Sequence, residues 1–207
     1  SPLPRSVRFW MNVNEFYCKF WFRLRRMGIN TVPATGPVIV VANHTSAVDP
    51  LLLIAATPHR PLAFLIAAEY HQLPIAGRFT RMMGCIPVNR EEIDTAATKA
   101  ALRHLKAGKP LGIFLQGRIA PPGQQLEPKD GAALLALKTG APVVPVHISG
   151  TVYDPSVPRS FAHRHRARLH FGKPIDLRAA YGTHVDKETL AGISRMLMER
   201  INELGQD

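Results

Sequence analysis

Acid, cysteine and long apolar runs are all scarce in this sequence. Two cysteines, Cys18 and Cys85, stand far apart in 207 residues. They read as free thiols of a reducing compartment and argue against a disulfide framework. No apolar run approaches the roughly 18–20 residues that span a bilayer; the longest, 37–42 and 51–56, are core-sized. No secretory signal with a cleavage site is present, and the sequence opens on Ser1 instead of Met, as a processed or trimmed chain does. Only 15 acidic residues stand against 26 Lys+Arg, a formal charge of +11. That surplus invites a nucleic-acid partner, yet zinc-finger, RRM-like and helix-turn-helix signatures are all missing, so none is expected. With 46% hydrophobic and 20% charged residues, the composition is that of a globular chain able to bury a core, and not of a disordered one.

What is present begins with an amphipathic N-terminus. Residues 5–27 predict one helix: Phe9, Val13, Phe16, Phe20, Leu24 and Met27 recur at helical spacing, and Trp10, Tyr17 and Trp21 widen the stripe. Arg8, Glu15, Lys19, Arg23 and Arg26 gather on another face. Cations beside a Trp/Phe-rich stripe suit a helix lying in a membrane interface. The same pattern also serves a terminal helix packed on its domain, and the segment alone leaves both open. Residues 1–35 are therefore set apart as an amphipathic, membrane-associating unit.

From residue 36 to 207 the pattern alternates. Strands are expected over 38–42, 63–67, 85–88, 111–115, 143–148 and 168–171, helices over 50–56, 95–107, 131–138 and 187–204, and a helix or an irregular element over 73–83. Gly108 and Gly140 stand where helix C-caps belong. Pro145, inside a strand, suggests a bulge or an edge position. Such alternation predicts an α/β fold, with a mostly parallel or mixed central sheet flanked by helices. Sites in such folds collect at the carboxyl ends of strands.

The first such junction is 43–50, Asn-His-Thr-Ser-Ala-Val-Asp-Pro. A histidine becomes a general base when one ring nitrogen is held by a partner and the other is free to take a proton from a hydroxyl. Five residues of tight turn bring Asp49 back to His44. Without an obvious nucleophilic Ser or Cys, the pair favours direct attack by a substrate hydroxyl. Ser46 is the possible nucleophile, but the short turn keeps it from the free nitrogen of His44. Asp before Pro is equally a helix N-cap, and one carboxylate has oxygens for both roles. His163, His165 and His170 lack the Cys or carboxylate support of a zinc site, so no metal is expected. The cationic run 159–168 suits anionic lipid, an acidic carrier protein or the phosphates of CoA, and also suits a solvated loop.

The block at 43–49 resembles the NHxxxxD motif of the glycerolipid acyltransferase superfamily, the group containing lysophosphatidic acid acyltransferases. Further blocks follow in order. Residues 84–90, Gly-Cys-Ile-Pro-Val-Asn-Arg, resemble the second, and 113–119, Ile-Phe-Leu-Gln-Gly-Arg-Ile, stand where the family has FPEGTR or FPEGRI. The apolar run 143–148, interrupted by Pro145, resembles the fourth, and 169–175 the late G-x-P-I segment. The resemblance covers roughly 36–177, and the domain 36–207 is identified as a member of that superfamily.

The resemblance implies acyl transfer from acyl-CoA or acyl carrier protein to the hydroxyl of a lysophospholipid or related lipid alcohol, with no metal or prosthetic group. It makes His44 the base and Asp49 its orienting partner. It makes Arg90 and Arg118 the phosphate ligands, a task suited to guanidinium, with Asn43, Ser46, Gln116 and Gly117 as further substrate-binding positions. It implies a peripheral protein at the cytoplasmic face of an anionic membrane. Two residues depart from the pattern: Gln116 stands where the family has Glu, and Leu115 replaces the usual proline. The lost charge leaves room for a non-catalytic lipid-binding homologue. Water in place of the acceptor would make the same base a thioesterase or other hydrolase.

Overall fold

The run Val38–Ala42 is apolar and β-branched over most of its length because it is buried on both faces, which only a central strand requires. The computed structural model describes residues 3–89, 94–178 and 186–206. In it this run is β2, within a seven-stranded sheet of order β1-β7-β6-β2-β5-β3-β4. In chain order the elements are α1 (Arg5–Phe20), β1 (Arg25–Met27), β2, α2 (Asp49–Ala56), β3 (Ala63–Ala67), α3 (Ala68–Gln72), α4 (Pro74–Met82) and β4 (Ile86–Val88). Then come α5 (Thr95–Lys106), β5 (Pro110–Phe114), α6 (Gly131–Thr139), β6 (Val143–Ser149), α7 (Val157–Ala162), β7 (Arg168–Phe171) and α8 (Lys187–Glu203). The sheet is mixed: β2 pairs parallel with β5 and β6, whereas β6 and β7 run antiparallel. The expected α/β class is the observed one.

Alternation along the strands builds a core on each face. Val38, Val40, Ala42, Val144, Val146, Leu169 and Phe171 face α1 and α2; Ile39, Val41, Leu111, Ile113 and Val143 face α5, α6 and α8. Pro145 sits in an internal strand, not at an edge. It falls between the β7 ladder, which begins at Val146↔Phe171, and the bridge Val143↔Ile175, so its missing N–H interrupts no ladder bond there.

The N-terminal segment departs from expectation. The helix ends at Phe20, and 25–27 form a strand of the main sheet. Arg23 takes a left-handed conformation (φ 48°), and the N–H of Leu24 donates back to the Cys18 carbonyl at 3.0 Å, which turns the chain away at the helix end. The left-handed residue is an arginine, so no glycine marks the stop. The helix also packs by a different face from the aromatic stripe. Val7, Met11, Asn14 and Cys18 are buried, and Asn14 Nδ2 donates to the Leu51 carbonyl of α2 at 2.9 Å. Phe9, Phe16 and Phe20 are each more than 60% exposed, with Trp10 and Val13 beside them. Tyr17 turns inward, its hydroxyl donating to the Phe161 carbonyl at 2.6 Å.

Gly112, on β5, is a close-approach position. A Cβ there would lie 2.3 Å from the Phe64 ring, which fixes that ring against β5. Gly112→Ala should cost about 1–3 kcal/mol through overpacking, read as a lowered midpoint in urea unfolding; an unchanged midpoint would mean that the ring moves aside freely.

Candidate active site

Three carboxyl ends of adjacent strands converge on the turn after β2. Asn43, the first residue past the strand, is buried and spends its amide on β6: Nδ2 donates to the Ile148 carbonyl at 2.8 Å and Oδ1 accepts from the Ile148 N–H at 2.7 Å. The amide expected at substrate thus holds the protein's own backbone and pins the turn to β6.

Asp49 is fully buried, and one of its oxygens does most of the local work. Oδ2 accepts from the N–H of Thr45 and of Ser46, both at 2.8 Å, and lies 2.9 Å from His44 Nδ1. An oxygen already accepting two backbone donors leaves Nδ1 to carry the proton, so Nε2 is the basic nitrogen. The N-cap reading does not hold. Asp49 is the first helical residue of α2, after Val48, and its carboxylate turns back into the loop instead of bonding the helix's own amides. Ser46 Oγ is buried with no hydrogen-bond partner, so no Ser46–His44 bond forms.

The ring plane of His44 is set by Phe114, at the end of β5, stacked on it at 4.0 Å between centroids and 15° between planes. Phe114 stacks in turn against Phe64 at 5.7 Å. Only 14% of the imidazole is exposed. The sequence marks this buttress weakly, through an aromatic at a strand end and a glycine two residues earlier. Thr45 and Thr151, whose hydroxyls are 2.7 Å apart, tie the turn to the loop after β6; no motif pointed to that bond.

Gln116 belongs to this site in a specific way. Its Oε1 accepts from the His44 N–H at 2.9 Å. A neutral amide oxygen accepts that bond as a carboxylate oxygen would. The loop closes further where Leu115 N–H donates to the Ala42 carbonyl at 3.1 Å and Ala120 N–H to the His44 carbonyl at 2.9 Å. Gly117, at φ 69°, makes the turn between them. Arg118 is exposed on this loop, between the Gln116 and Ala120 anchors, and ion-pairs with no acid among the described residues. Arg90 lies outside the described residues.

Other candidate groups are already committed. Burial pushes the Cys18 thiol up to about 12 and the Cys85 thiol up to about 11, which keeps both from acting as thiolates. His165 accepts from the Val152 N–H through Nδ1 and donates to the Ser160 carbonyl through Nε2, and His163 is 2.9 Å from Asp154 Oδ2. Among the described residues no three His, Cys, Asp or Glu are grouped to hold a metal ion.

The family model described as Acyltransferase matches residues 23–149. The chain is 27% identical over 174 residues to the 1-acyl-sn-glycerol-3-phosphate acyltransferase of Bacillus subtilis, covering 84% of this chain and 83% of that protein. It is 32% identical over 126 residues to the protein of the same name from Borreliella burgdorferi, covering 60% of this chain and half of that one. The crystal structure of the 1-acyl-sn-glycerophosphate acyltransferase PlsC from Thermotoga maritima superposes with a TM-score of 0.73 at 23% identity, over 99% of this chain and 85% of that one, and so shares the fold.

Nitrogen-15 NMR of neutral His44 should show the proton on Nδ1. Asp49→Ala should mix the two tautomers; an unchanged spectrum would mean that another group orients the ring.

Proposed function

Because the chain belongs to the Acyltransferase family, we propose that it moves a fatty acyl group from an acyl thioester, acyl-CoA or acyl carrier protein, to the hydroxyl of a lysophospholipid-like acceptor. The observation that carries this reading is the buried Asp49 held 2.9 Å from His44 Nδ1, with Nε2 left as the base. The names of its Bacillus and Borreliella relatives support 1-acyl-sn-glycerol-3-phosphate as the acceptor.

The steps follow from the ring's two nitrogens. Nε2 takes the acceptor's hydroxyl proton as its oxygen attacks the thioester carbonyl, and the Asp49 carboxylate stabilises the imidazolium that forms. The tetrahedral intermediate collapses, the C–S bond breaks, and the imidazolium returns the proton to the leaving thiolate. No Ser or Cys side chain bonds to His44 among the described residues, which favours this direct route over a covalent acyl-enzyme. Arg118, beside the turn, and Arg90, by resemblance, hold the acceptor's phosphate through charge-assisted bonds. Gln116 acts through the His44 backbone and supports retained catalysis.

Purified protein incubated with each donor and lysophosphatidic acid should yield the diacyl product by mass spectrometry. His44→Ala should lower turnover by about 10²–10⁴-fold, the usual worth of a general base. Gln116→Glu should keep turnover and Gln116→Ala lose it. Free fatty acid as the sole product would make the protein a thioesterase, and lysolipid binding without turnover a non-catalytic relative.

The exposed face of α1 is proposed as the contact with an anionic membrane surface. Among the described residues no helix is long and apolar enough to cross a membrane. Instead Phe9, Trp10, Val13, Phe16 and Phe20 form an outward apolar face, and Lys19 sits 5.8 Å over the Phe20 ring. Arg164 stacks on Trp21 at 4.9 Å just past the helix. Aromatics and cations so arranged match the headgroup region of a bilayer. Replacing Trp10, Phe16 and Phe20 with Ser should release the protein from anionic vesicles in a flotation assay; undiminished binding would move the contact elsewhere.

A further inference from the structure

A second cluster of polar side chains stands at the carboxyl end of β6 and the amino ends of β7 and β1, beginning one strand away from β2, and takes no part in the acyl-transfer chemistry. Strand register assembles it. On one rung Arg25 of β1 is opposite Arg168 of β7, which is opposite Ser149 of β6; two rungs on, on the same face, Met27, His170 and His147 align. Neighbours on a rung share a face and stand about 4.5–5.5 Å apart. This is the face covered elsewhere by α5, α6 and α8. Here, among the described residues, the sheet is met by the end of α8 and the residues after it. His170 Nδ1 donates to the Leu204 carbonyl at 3.0 Å, and Gly205 crosses so closely that a Cβ would lie 2.6 Å from the His147 ring. Between them is a cavity of about 150 Å³, lined by His147, Ser149, Arg168 and His170 with Met27, Leu204 and Gly205.

Three of the polar side chains lining the cavity can donate to an anion, the Arg168 guanidinium, the Ser149 hydroxyl and a ring N–H of His147, while His170 spends its Nδ1 proton on Leu204. Arg25 stands directly beside it. Neither Arg25 nor Arg168 ion-pairs with an acid among the described residues, and Glu203, the acid on this stretch of α8, is bound to Arg200 at 2.9 Å. Like charges opposed across strands cost stability, and burial together with His170 holds His147 below the usual imidazole range. An anion in the cavity would relieve both.

We propose that this cavity is a phosphate-binding site, separate from the His44 turn. A tetrahedral oxyanion matches guanidinium, hydroxyl and imidazole donors converging from two rungs. The phosphate could belong to a bilayer lipid headgroup or to the donor's nucleotide, or be free; the inference does not depend on the acyl-transfer reading.

The test uses the histidines as reporters. Inorganic phosphate is titrated into the protein while the His147 and His170 side-chain resonances are followed by NMR, with sodium chloride at equal ionic strength as control. Saturable shifts of both rings with phosphate, absent with chloride, are expected. Arg168→Gln and Arg25→Gln, both exposed and tolerable to the fold, should weaken binding about tenfold together. Absence of saturation, or affinity unchanged in the double variant, overturns the proposal, whether or not the enzyme turns over. Once phosphate binding is shown, competitors identify the source. Displacement by CoA but not by dephospho-CoA assigns the donor's 3′-phosphate, displacement by phosphatidic acid vesicles but not by phosphatidylcholine vesicles assigns a lipid headgroup, and displacement by neither leaves free phosphate.

Discussion

One carboxylate oxygen, Oδ2 of Asp49, organises the turn after β2. It is fully buried and accepts the amides of Thr45 and Ser46 and the Nδ1 proton of His44. A charge taken out of water must be met by donors or it destabilises the fold, and here the donors are the turn itself. The turn therefore cannot open without stranding the carboxylate, and the imidazole cannot rotate without losing its partner. Local stability and the orientation of the imidazole rest on the same set of bonds. The second oxygen of Asp49 and the hydroxyl of Ser46 are buried without partners, so the turn carries an unsatisfied polar cost beside its strong bonds.

The sheet supplies what the turn lacks. β2 lies between β5 and β6, and the loop after each of these neighbours binds the turn once β2 has ended. Asn43 continues the pairing with β6 by side chain, Gln116 reaches back from β5 to the His44 amide, and Phe114 fixes the ring plane. The site is thus held from both sides by rigid strands, which is how an imidazole is kept in one orientation. Gln116 meets the His44 N–H with a neutral acceptor oxygen at 2.9 Å, so this bond needs no charge at position 116.

Much of the frame was legible in the residues. The six strands read from apolar runs, and the helices closing at Gly108 and Gly140, stand within a residue or two of their expected places, because burial periodicity and capping are local signals. The failures are also physical. The first helix stops at a left-handed arginine, for which no residue-type signal exists, so β1 was read as helix. The cationic run 159–168 hid α7, a six-residue helix. Asp49 was legible as a partner of His44 but not in its freedom from capping, since Asp-Pro has the same appearance in either role. Asn43 was read as a substrate ligand because nothing local shows that its partner is Ile148, 105 residues away.

The sequence by itself determined the α/β alternation and the His44–Asp49 pair, because both rest on contacts within a few residues. The amphipathic character of α1 was legible in the same way, but which face meets the protein was not. Only the tertiary structure decided that the aromatic stripe faces outward while Val7, Met11, Asn14 and Cys18 meet α2. Only it placed Gln116 against an amide 72 residues earlier, and only it set Arg25, Arg168 and Ser149 on one rung. Those facts depend on which strands pair and in what register, and pairing between distant segments leaves no periodicity in the chain to read.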